Sequence, residues 1–133
     1  MPSLVPELLC TDLSATKAFY VGVLGFDVRY ERPEETFVYL RREEADLMFE
    51  QADGPGRRWV TGPLERPLGR GVNFQIETRG VADLHARVVA GSPGSIYLPL
   101  EERRYRCGDR WATNRQFVVS DPDGYLLRFA EFL

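Results

Sequence analysis

Apolar and polar residues alternate most clearly in two runs late in the chain, on either side of Asp121-Pro122-Asp123-Gly124. Side chains along a strand point alternately to opposite faces, so one face of both runs is predicted to pack on a core. That apolar face consists of Phe117, Val119, Leu127 and Phe129. Pro122 presets φ for a turn, and Gly124 can adopt the positive φ that closes it. The pattern predicts a β-hairpin whose second face carries Gln116 and Arg128.

The remaining periodicity gives two similar series of elements. The first is a strand over 4–10, a helix over 14–23, and strands over 26–30, 37–41 and 47–50. The second is a strand over 71–78, a helix over 81–89, a strand over 96–100, a charged loop over 101–110 and the hairpin. We therefore predict an α+β fold in one domain, 1–133. It comprises a βαβββ module at about 1–52, a linker at about 53–70 and a second βαβββ module at about 71–133.

The periodicity also predicts which side chains are buried. The stripe of the first helix is expected at Ala15, Ala18, Phe19 and Val23, and the inner face of the 71–78 strand at Val72, Phe74 and Ile76. His85, the only histidine, is expected at the surface of the second helix. A surface position leaves no histidine to serve as a general base at neutral pH.

Composition narrows the functional classes. The net charge of −3 and the pI near 5.2 argue against nucleic-acid binding. No apolar run reaches the length of a membrane span, and no secretory signal pattern is seen, so a cytoplasmic protein without a membrane partner is expected. In that compartment Cys10 and Cys107 are expected to be free thiols. No Ser-His-Asp set, phosphate loop or paired-cysteine zinc spacing is present.

Three motifs resemble those of a known family, the vicinal oxygen chelate superfamily. The first is Asp12-Leu13-Ser14 followed by Phe19-Tyr20 and Leu24-Gly25-Phe26, and the second is Asn73 to Glu77 followed by Val81 to His85. The third is the hairpin from Val119 to Phe129. The resemblance implies curved mixed sheets that enclose a cleft, within a homodimer that completes the site.

Members of this superfamily include glyoxalase I, extradiol dioxygenases, fosfomycin-modifying enzymes and metal-free bleomycin resistance proteins. The enzymes hold a divalent metal at four strand positions, which the motifs transfer to Val5, Asp46, Asn73 and Arg128. Valine has no ligand atom, and an arginine side chain repels a divalent cation. Since catalytic metals usually take three protein ligands, the resemblance is closest to the metal-free bleomycin resistance proteins, with no cofactor.

Strand alternation and the resemblance together give a set of candidate ligand-binding residues. The set consists of Glu7, Phe37, Tyr39, Asp46, Met48, Glu50, Trp59, Asn73, Gln75, Trp111, Gln116 and Arg128. Aromatic rings beside carboxylates suit a cationic or planar guest. The alternatives are that Trp59 and Trp111 serve packing or a dimer interface, that the glutamates are solvated or paired with arginine, and that Arg128 forms a structural ion pair with Glu7 or Asp46.

The functional prediction is a metal-free, homodimeric binding protein that sequesters a bleomycin-like, cationic or planar aromatic compound in an acidic, aromatic-lined cleft. One rival is an enzyme, either a metal-dependent lyase or dioxygenase with a displaced ligand set or a metal-free isomerase that uses Glu7 or Glu50. The other rival is a module that senses a metabolite or another protein.

Overall fold

The computed structural model describes residues 2–133, and Met1, the first residue of the predicted first module, lies outside them. The chain divides into two compact units, the first ending at Leu68 and the second running from Gly69 to Leu133. Each unit contains one four-stranded mixed sheet and a helix, arranged as βαβββ. The predicted α+β class with two repeated modules is therefore confirmed.

The first unit has strands β1 (Glu7–Cys10), β2 (Asp27–Arg32), β3 (Phe37–Arg42) and β4 (Ala45–Gln51). Their order in the sheet is β1-β4-β3-β2, with β1 parallel to β4 and the other pairs antiparallel. A single turn of 3-10 helix, Pro33–Glu35, joins β2 to β3. Its proline presets φ at the start of the turn, and Thr36 ends it with a φ of 49°.

The helix of the first unit, α1 (Leu13–Lys17), continues as a wider π-helical turn over Ala18–Val23. Thr16, Phe19 and Tyr20 are buried, and the Tyr20 ring lies 4.7 Å from that of Phe49 on the sheet. The predicted stripe was right for Phe19 and wrong for Ala15 and Ala18, which are exposed. The stripe is shifted by about one residue, which directs the larger Tyr20 ring to the sheet.

The second unit has strands β5 (Asn73–Glu77), β6 (Ile96–Cys107), β7 (Arg110–Ser120) and β8 (Leu126–Phe132), and the helix α2 (Val81–Gly91). A 3-10 turn over Pro93–Ser95 joins α2 to β6. The sheet order is β5-β8-β7-β6, with β5 parallel to β8. This order repeats that of the first unit strand for strand.

The charged loop expected over 101–110 is wrong, because these residues lie mainly in strands. Strands β6 and β7 pair as far as Cys107 and Arg110, with Glu101 opposite Gln116 and Arg106 opposite Trp111. Gly108, with a φ of 69°, closes the hairpin. An exposed two-stranded arm needs no apolar face, so its sequence lacks the alternation by which strands are recognised.

The hairpin formed by β7 and β8 matches its prediction. Gly124 has a φ of 100°, and the Asp121 carboxylate accepts hydrogen bonds from the backbone N–H groups of Asp123 and Tyr125, at 2.9 and 3.0 Å. The four apolar residues predicted for its inner face, Phe117, Val119, Leu127 and Phe129, are fully buried. On β5, Ile76 is buried as predicted, whereas Val72 is half exposed because it precedes the strand.

His85 is not a simple surface residue. Its ring packs edge-on against Phe117, with centroids 5.1 Å apart, and its Nε2 accepts a hydrogen bond from the backbone N–H of Leu100 at 3.4 Å. It therefore ties α2 to β6 and is engaged in the packing of the second unit. Cys10 is buried and Cys107 is exposed, and neither forms a disulfide within the described part of the chain. Within residues 2–133, no helix is long and apolar enough to cross a membrane.

Candidate functional site

The first sheet has one face packed on its helix and one open face. Leu8, Val38, Leu40 and Phe49 belong to the packed face and are buried. Strand pairing places Phe37 opposite Glu50, Tyr39 opposite Met48, and Glu7 beside Met48. Because paired residues share a face, the aromatic rings of β3 and the polar groups of β1 and β4 lie on the open face together.

A pocket of about 490 Å³ lies on this open face, beside the loop that follows β4. Its lining residues are Glu7, Arg32, Glu35, Phe37, Glu50, Pro55, Gly56, Arg57 and Trp59. The volume is within the range of small-molecule sites. Four sequence-predicted residues, Glu7, Phe37, Glu50 and Trp59, therefore line one pocket.

Glu50 forms an inner wall of the pocket and has an unusual environment. The residue is only 4% exposed, and no described residue among 2–133 forms a hydrogen bond or an ion pair with its carboxylate. Gly56 crosses next to it, so closely that a Cβ atom at position 56 would lie 1.9 Å from Glu50 Oε1. The carboxylate oxygens keep some contact with solvent at the pocket, whereas the rest of the residue is buried. An unpartnered carboxylate in a pocket is suited to accept hydrogen bonds from a ligand.

Glu7 stands at the more exposed mouth of the pocket. Partial burial and the nearby Glu50 carboxylate raise the pKa of Glu7, and the positive charge of Arg32 acts in the opposite direction. Two carboxylates that repel each other hold a region of negative potential, which favours a cation.

Two arginines cover the aromatic walls. The Arg32 guanidinium carbon lies 4.0 Å from the centre of the Phe37 ring, and Arg32 Nε donates a hydrogen bond to Glu35 Oε2 at 3.2 Å. Arg57 lies 5.0 Å from the centre of the Trp59 ring. With three glutamates and two arginines, the lining is of mixed charge rather than uniformly acidic.

The loop that supplies Gly56, Arg57 and Trp59 is tied to the sheet by Arg58. Its Nη1 donates to the Gly56 carbonyl at 2.8 Å, and its Nε donates to the Gln51 carbonyl at 3.4 Å. These bonds hold the Gly56 backbone next to the end of β4. The position of this pocket wall therefore depends on a half-buried side chain behind it.

Tyr39 and Asp46 share the open face but do not line the pocket. The Tyr39 hydroxyl donates a short hydrogen bond to Asp46 Oδ2, and Arg41 Nη1 lies 3.5 Å from Asp46 Oδ1. The bond to Asp46, followed by burial, raises the pKa of Tyr39 to about 12. The Tyr30 ring stacks on Tyr39 at 5.0 Å. Asp46 is thus bound by neighbouring side chains of the sheet. Met48, which lies between Asp46 and Glu50 on β4, is also outside the pocket lining.

The other candidates belong to the second unit. Asn73, Gln75, Gln116 and Arg128 lie on the open face of its sheet, as the pairing of β5, β7 and β8 requires. Gln116 is buried and donates to Glu101 Oε1 at 3.1 Å and to the Tyr105 hydroxyl at 2.8 Å.

Arg128 forms no hydrogen bond or ion pair with the described part of the chain, and its Nε is buried without a partner. The alternative of a structural ion pair between Arg128 and Glu7 or Asp46 stays a prediction. Trp111 is exposed on the arm, where the Arg104 guanidinium carbon lies 4.8 Å from its ring centre. By strand alternation Trp111 faces away from Gln116.

The four positions at which the resembled enzymes hold a metal do not supply a suitable set of donors. Val5 has no ligand atom, Asp46 is engaged by Tyr39 and Arg41, and Arg128 is a cation. Across residues 2–133, no group of three or more His, Cys, Asp or Glu side chains could hold a metal ion. These residues do not fit a catalytic metal, and we derive no chemistry through one.

Sequence reasoning missed Arg32, Glu35 and Arg57 as pocket residues. Arg32 and Glu35 fall between the predicted strands 26–30 and 37–41. The sequence signal that could have placed Arg32 on the pocket face is its spacing of two residues from Tyr30 along β2. Arg57 lies in the predicted linker, where no periodicity exists. Its proximity to Trp59 two residues later was the only local indication.

Comparisons with known proteins agree with this architecture. The sequence model of the Glyoxalase/Bleomycin resistance protein/Dioxygenase superfamily matches residues 4–95. A protein from Geobacillus stearothermophilus named bleomycin resistance protein is 26% identical over 133 residues, covering 94% of this chain and 92% of that protein.

Two crystal structures also align along most of the chain. The first, TioX from Micromonospora sp. ML1, covers 100% of both chains at 20% identity with a TM-score of 0.78. The second, a glyoxalase/bleomycin resistance protein/dioxygenase superfamily member from Vibrio splendidus 12B01, aligns at 43% identity with a TM-score of 0.47. It covers 96% of this chain and 95% of that one. The likeness to TioX concerns the fold.

Proposed function

Because the chain belongs to the glyoxalase/bleomycin resistance protein/dioxygenase superfamily, we propose that its first unit binds a cationic, planar organic compound and sequesters it without a metal. The observation that supports this most strongly is Glu50, a largely buried residue of the pocket wall whose carboxylate has no hydrogen-bond partner among residues 2–133 and keeps contact with solvent. A protonated nitrogen of a ligand would supply the missing donor and the opposite charge. Charge-assisted hydrogen bonds of this kind are among the stronger ones in proteins.

The aromatic residues of the pocket fit the same ligand. Phe37 is buried in the sheet and offers a fixed ring face, whereas Trp59 is 74% exposed and can move over a guest. A planar cation can stack on either ring while its N–H groups point to the carboxylates. Both rings already lie against guanidinium groups of the chain itself, and this supports the proposal that a planar cation can stack there.

The relatives named bleomycin resistance protein make bleomycin the first compound to test, and a role in antibiotic resistance the first biological proposal. We further propose that the protein acts as a cytoplasmic homodimer. Asn73, Gln75, Gln116 and Arg128 of the second unit stay predicted ligand-binding residues, and as amides and an arginine they would donate hydrogen bonds to acceptor groups.

A second candidate function is that of a metal-free isomerase, which the raised pKa of Glu7 favours. A carboxyl with a pKa closer to neutrality is a more effective proton acceptor than an ordinary glutamate. Its neighbour Glu50 would then bind the substrate while Glu7 moves the proton. This function requires turnover, whereas sequestration requires only affinity, so recovery of an unchanged ligand separates the two.

The proposal is tested by isothermal titration with bleomycin and with benzamidine, a small planar cation, while tryptophan fluorescence is recorded. We expect saturable binding of at least one compound, recovery of that compound unchanged, and an affinity about tenfold lower in Glu50→Gln. Glu44→Gln is the matched control, because the Glu44 side chain is 98% exposed outside the pocket. Absence of binding by both compounds, or equal affinities in the two variants, would contradict the proposal.

A further inference from the structure

Arg32 occupies the pocket in the way expected of a ligand. Its guanidinium lies 4.0 Å from the centre of the Phe37 ring, and its Nε donates to the Glu35 carboxylate at 3.2 Å. It also lies 5.9 Å from the centre of the Tyr30 ring. The chain thus provides a planar cation that is stacked on an aromatic wall and held at its edge by a carboxylate. The Phe37 ring is thus covered by a guanidinium group of the chain itself.

The positive charge of Arg32 interacts with Glu7, but Arg32 forms no bond with Glu50 on the inner wall of the pocket. Its charge is close enough to Glu7 to oppose the rise of that carboxyl's pKa. It makes no ion pair with Glu50, whose carboxylate remains without a partner among residues 2–133. A second cation that entered deeper could therefore use the same ring and gain the bonds to Glu50 that Arg32 does not make.

Arg32 is also free to leave. The side chains of Arg32 and Glu35 are 41% and 43% exposed, and exposed ion pairs of this kind contribute little to stability because solvent screens them. A long arginine side chain can rotate into solvent and retain its charge and hydration there. Displacing it requires the loss of the exposed ion pair with Glu35, the contacts with the Phe37 and Tyr30 rings and the interaction with the Tyr30 side chain, and a ligand can replace the contact with Phe37.

Resting on the function proposed above, we infer that the ligand carries a planar, delocalised cation of the amidinium or guanidinium class, and that Arg32 is the internal competitor that it displaces from Phe37. Arg32 is then a specificity-determining residue. A ligand must compete with the chain's own guanidinium, so neutral aromatic compounds should bind more weakly than planar cations. The carboxylates Glu7 and Glu50 provide the additional bonds that the displacing cation gains.

The test compares benzamidine with its neutral isostere benzamide in the wild type, Arg32→Gln and Arg32→Lys. We expect Arg32→Gln to bind benzamidine about tenfold more tightly, because both the ring contact and the competing charge are removed. Benzamide should gain only about two- to threefold, from the uncovered ring alone. Arg32→Lys keeps the charge and loses the planar group, so both compounds should gain by a similar small factor.

Arg29→Gln, on the same strand outside the pocket lining, is the matched control for the loss of one positive charge, and it should leave both affinities unchanged. Weaker benzamidine binding in Arg32→Gln would show that Arg32 contacts the ligand directly, and unchanged binding would show that it does not compete. Either result overturns this inference, as does a failure of benzamidine to bind any variant. The proposed function is judged separately, by the effect of Glu50→Gln on whichever compound the wild type binds.

Discussion

The clearest consequence of the pocket is that one of its residues should reduce the stability of the fold. Glu50→Gln keeps the shape of the side chain and removes its negative charge. Because the carboxylate has no partner among residues 2–133 and repels that of Glu7, the variant should be more stable than the wild type at neutral pH. Residues that bind ligands often have this property, because they are selected for affinity rather than for stability.

The size of the effect follows from the geometry of the strands. Glu7 pairs with Met48, two residues from Glu50 on the same face, and such diagonal neighbours are about 7 Å apart. Two unit charges at that distance repel each other by about 2 kcal/mol at an effective dielectric constant of about 20. Because Glu7 is largely exposed, solvent screening reduces the gain to about 1 kcal/mol. For a chain of this length, that corresponds to a rise in Tm of about 3 °C.

The gain in stability of Glu50→Gln over the wild type should increase from acidic to neutral pH. The pKa of Glu7 is raised in the folded state, so the folded protein binds the proton more strongly than the unfolded chain does. The corresponding contribution to stability is fully present below the ordinary pKa of 4.5 and is lost as the pH rises through the raised value. The stability difference between Glu50→Gln and the wild type should therefore be small at acidic pH and complete at pH 7.

The assay is urea unfolding followed by far-ultraviolet circular dichroism, at pH 4 and pH 7, with Glu44→Gln as the exposed control. The reasoning is refuted if Glu50→Gln is less stable than the wild type at pH 7, because the carboxylate must then have favourable partners. A gain of the same size at both pH values would also contradict it, because repulsion between two carboxylates disappears when they are protonated.

Three further substitutions test other parts of the account. Gly56→Ala should push the loop away from the Glu50 carboxylate, which should lower the affinity for benzamidine and reduce the free energy of unfolding by about 1–2 kcal/mol. Gly62→Ala should change neither quantity, because an added Cβ atom there has no atom within 4 Å. Calorimetry measures the affinity, and chemical unfolding measures the stability. Tyr39→Phe should lower Tm by about 3 °C, because it removes the hydrogen bond to the buried Asp46. In an ultraviolet titration of the wild type, one of the six tyrosines should ionise near pH 12, and this ionisation should be missing from Tyr39→Phe. The stability that neutral Tyr39 contributes is fully present below pH 10 and is lost as the pH rises through about 12. Equal titrations of the two proteins would contradict this. Gly124→Val should reduce the free energy of unfolding by about 1–2 kcal/mol through strain at a φ of 100°, and an unchanged urea midpoint would count against that turn.

Much of the fold could be predicted because its strongest signals are local. The Asp121 to Gly124 turn depends on a side chain that bonds to the backbone two and four residues later, and such a turn can be recognised from sequence. The arm formed by β6 and β7 could not be recognised. Its run from Arg103 to Arg106 is held by backbone pairing to residues 111–114 on β7, and no apolar pattern marks pairing of that kind.

The pocket was predictable only where it is built from strands. Alternation along β3 and β4 placed Phe37 and Glu50 on one face, and the structure pairs them directly. The contribution of Arg57 depends on the path of a loop, whereas Arg32 ends strand β2 at a place where the sequence predicts no strand. Arg32 reaches Phe37 across the β2–β3 pairing, and Arg57 is positioned by a loop that Arg58 fixes from behind. Contacts of this type arise from tertiary structure and leave no periodic trace in the sequence.

The central claim is that the Glu50 carboxylate accepts hydrogen bonds from a bound cation. It is tested most directly by nuclear magnetic resonance of the glutamate side-chain carboxyl carbons during a titration with benzamidine, with Glu50 assigned from the Glu50→Gln variant. We expect the Glu50 carboxyl signal to shift with benzamidine concentration along the same saturation curve as the binding heat, while the signal of the exposed Glu44 stays constant. A Glu50 signal that remains unchanged while benzamidine saturates the protein would contradict it.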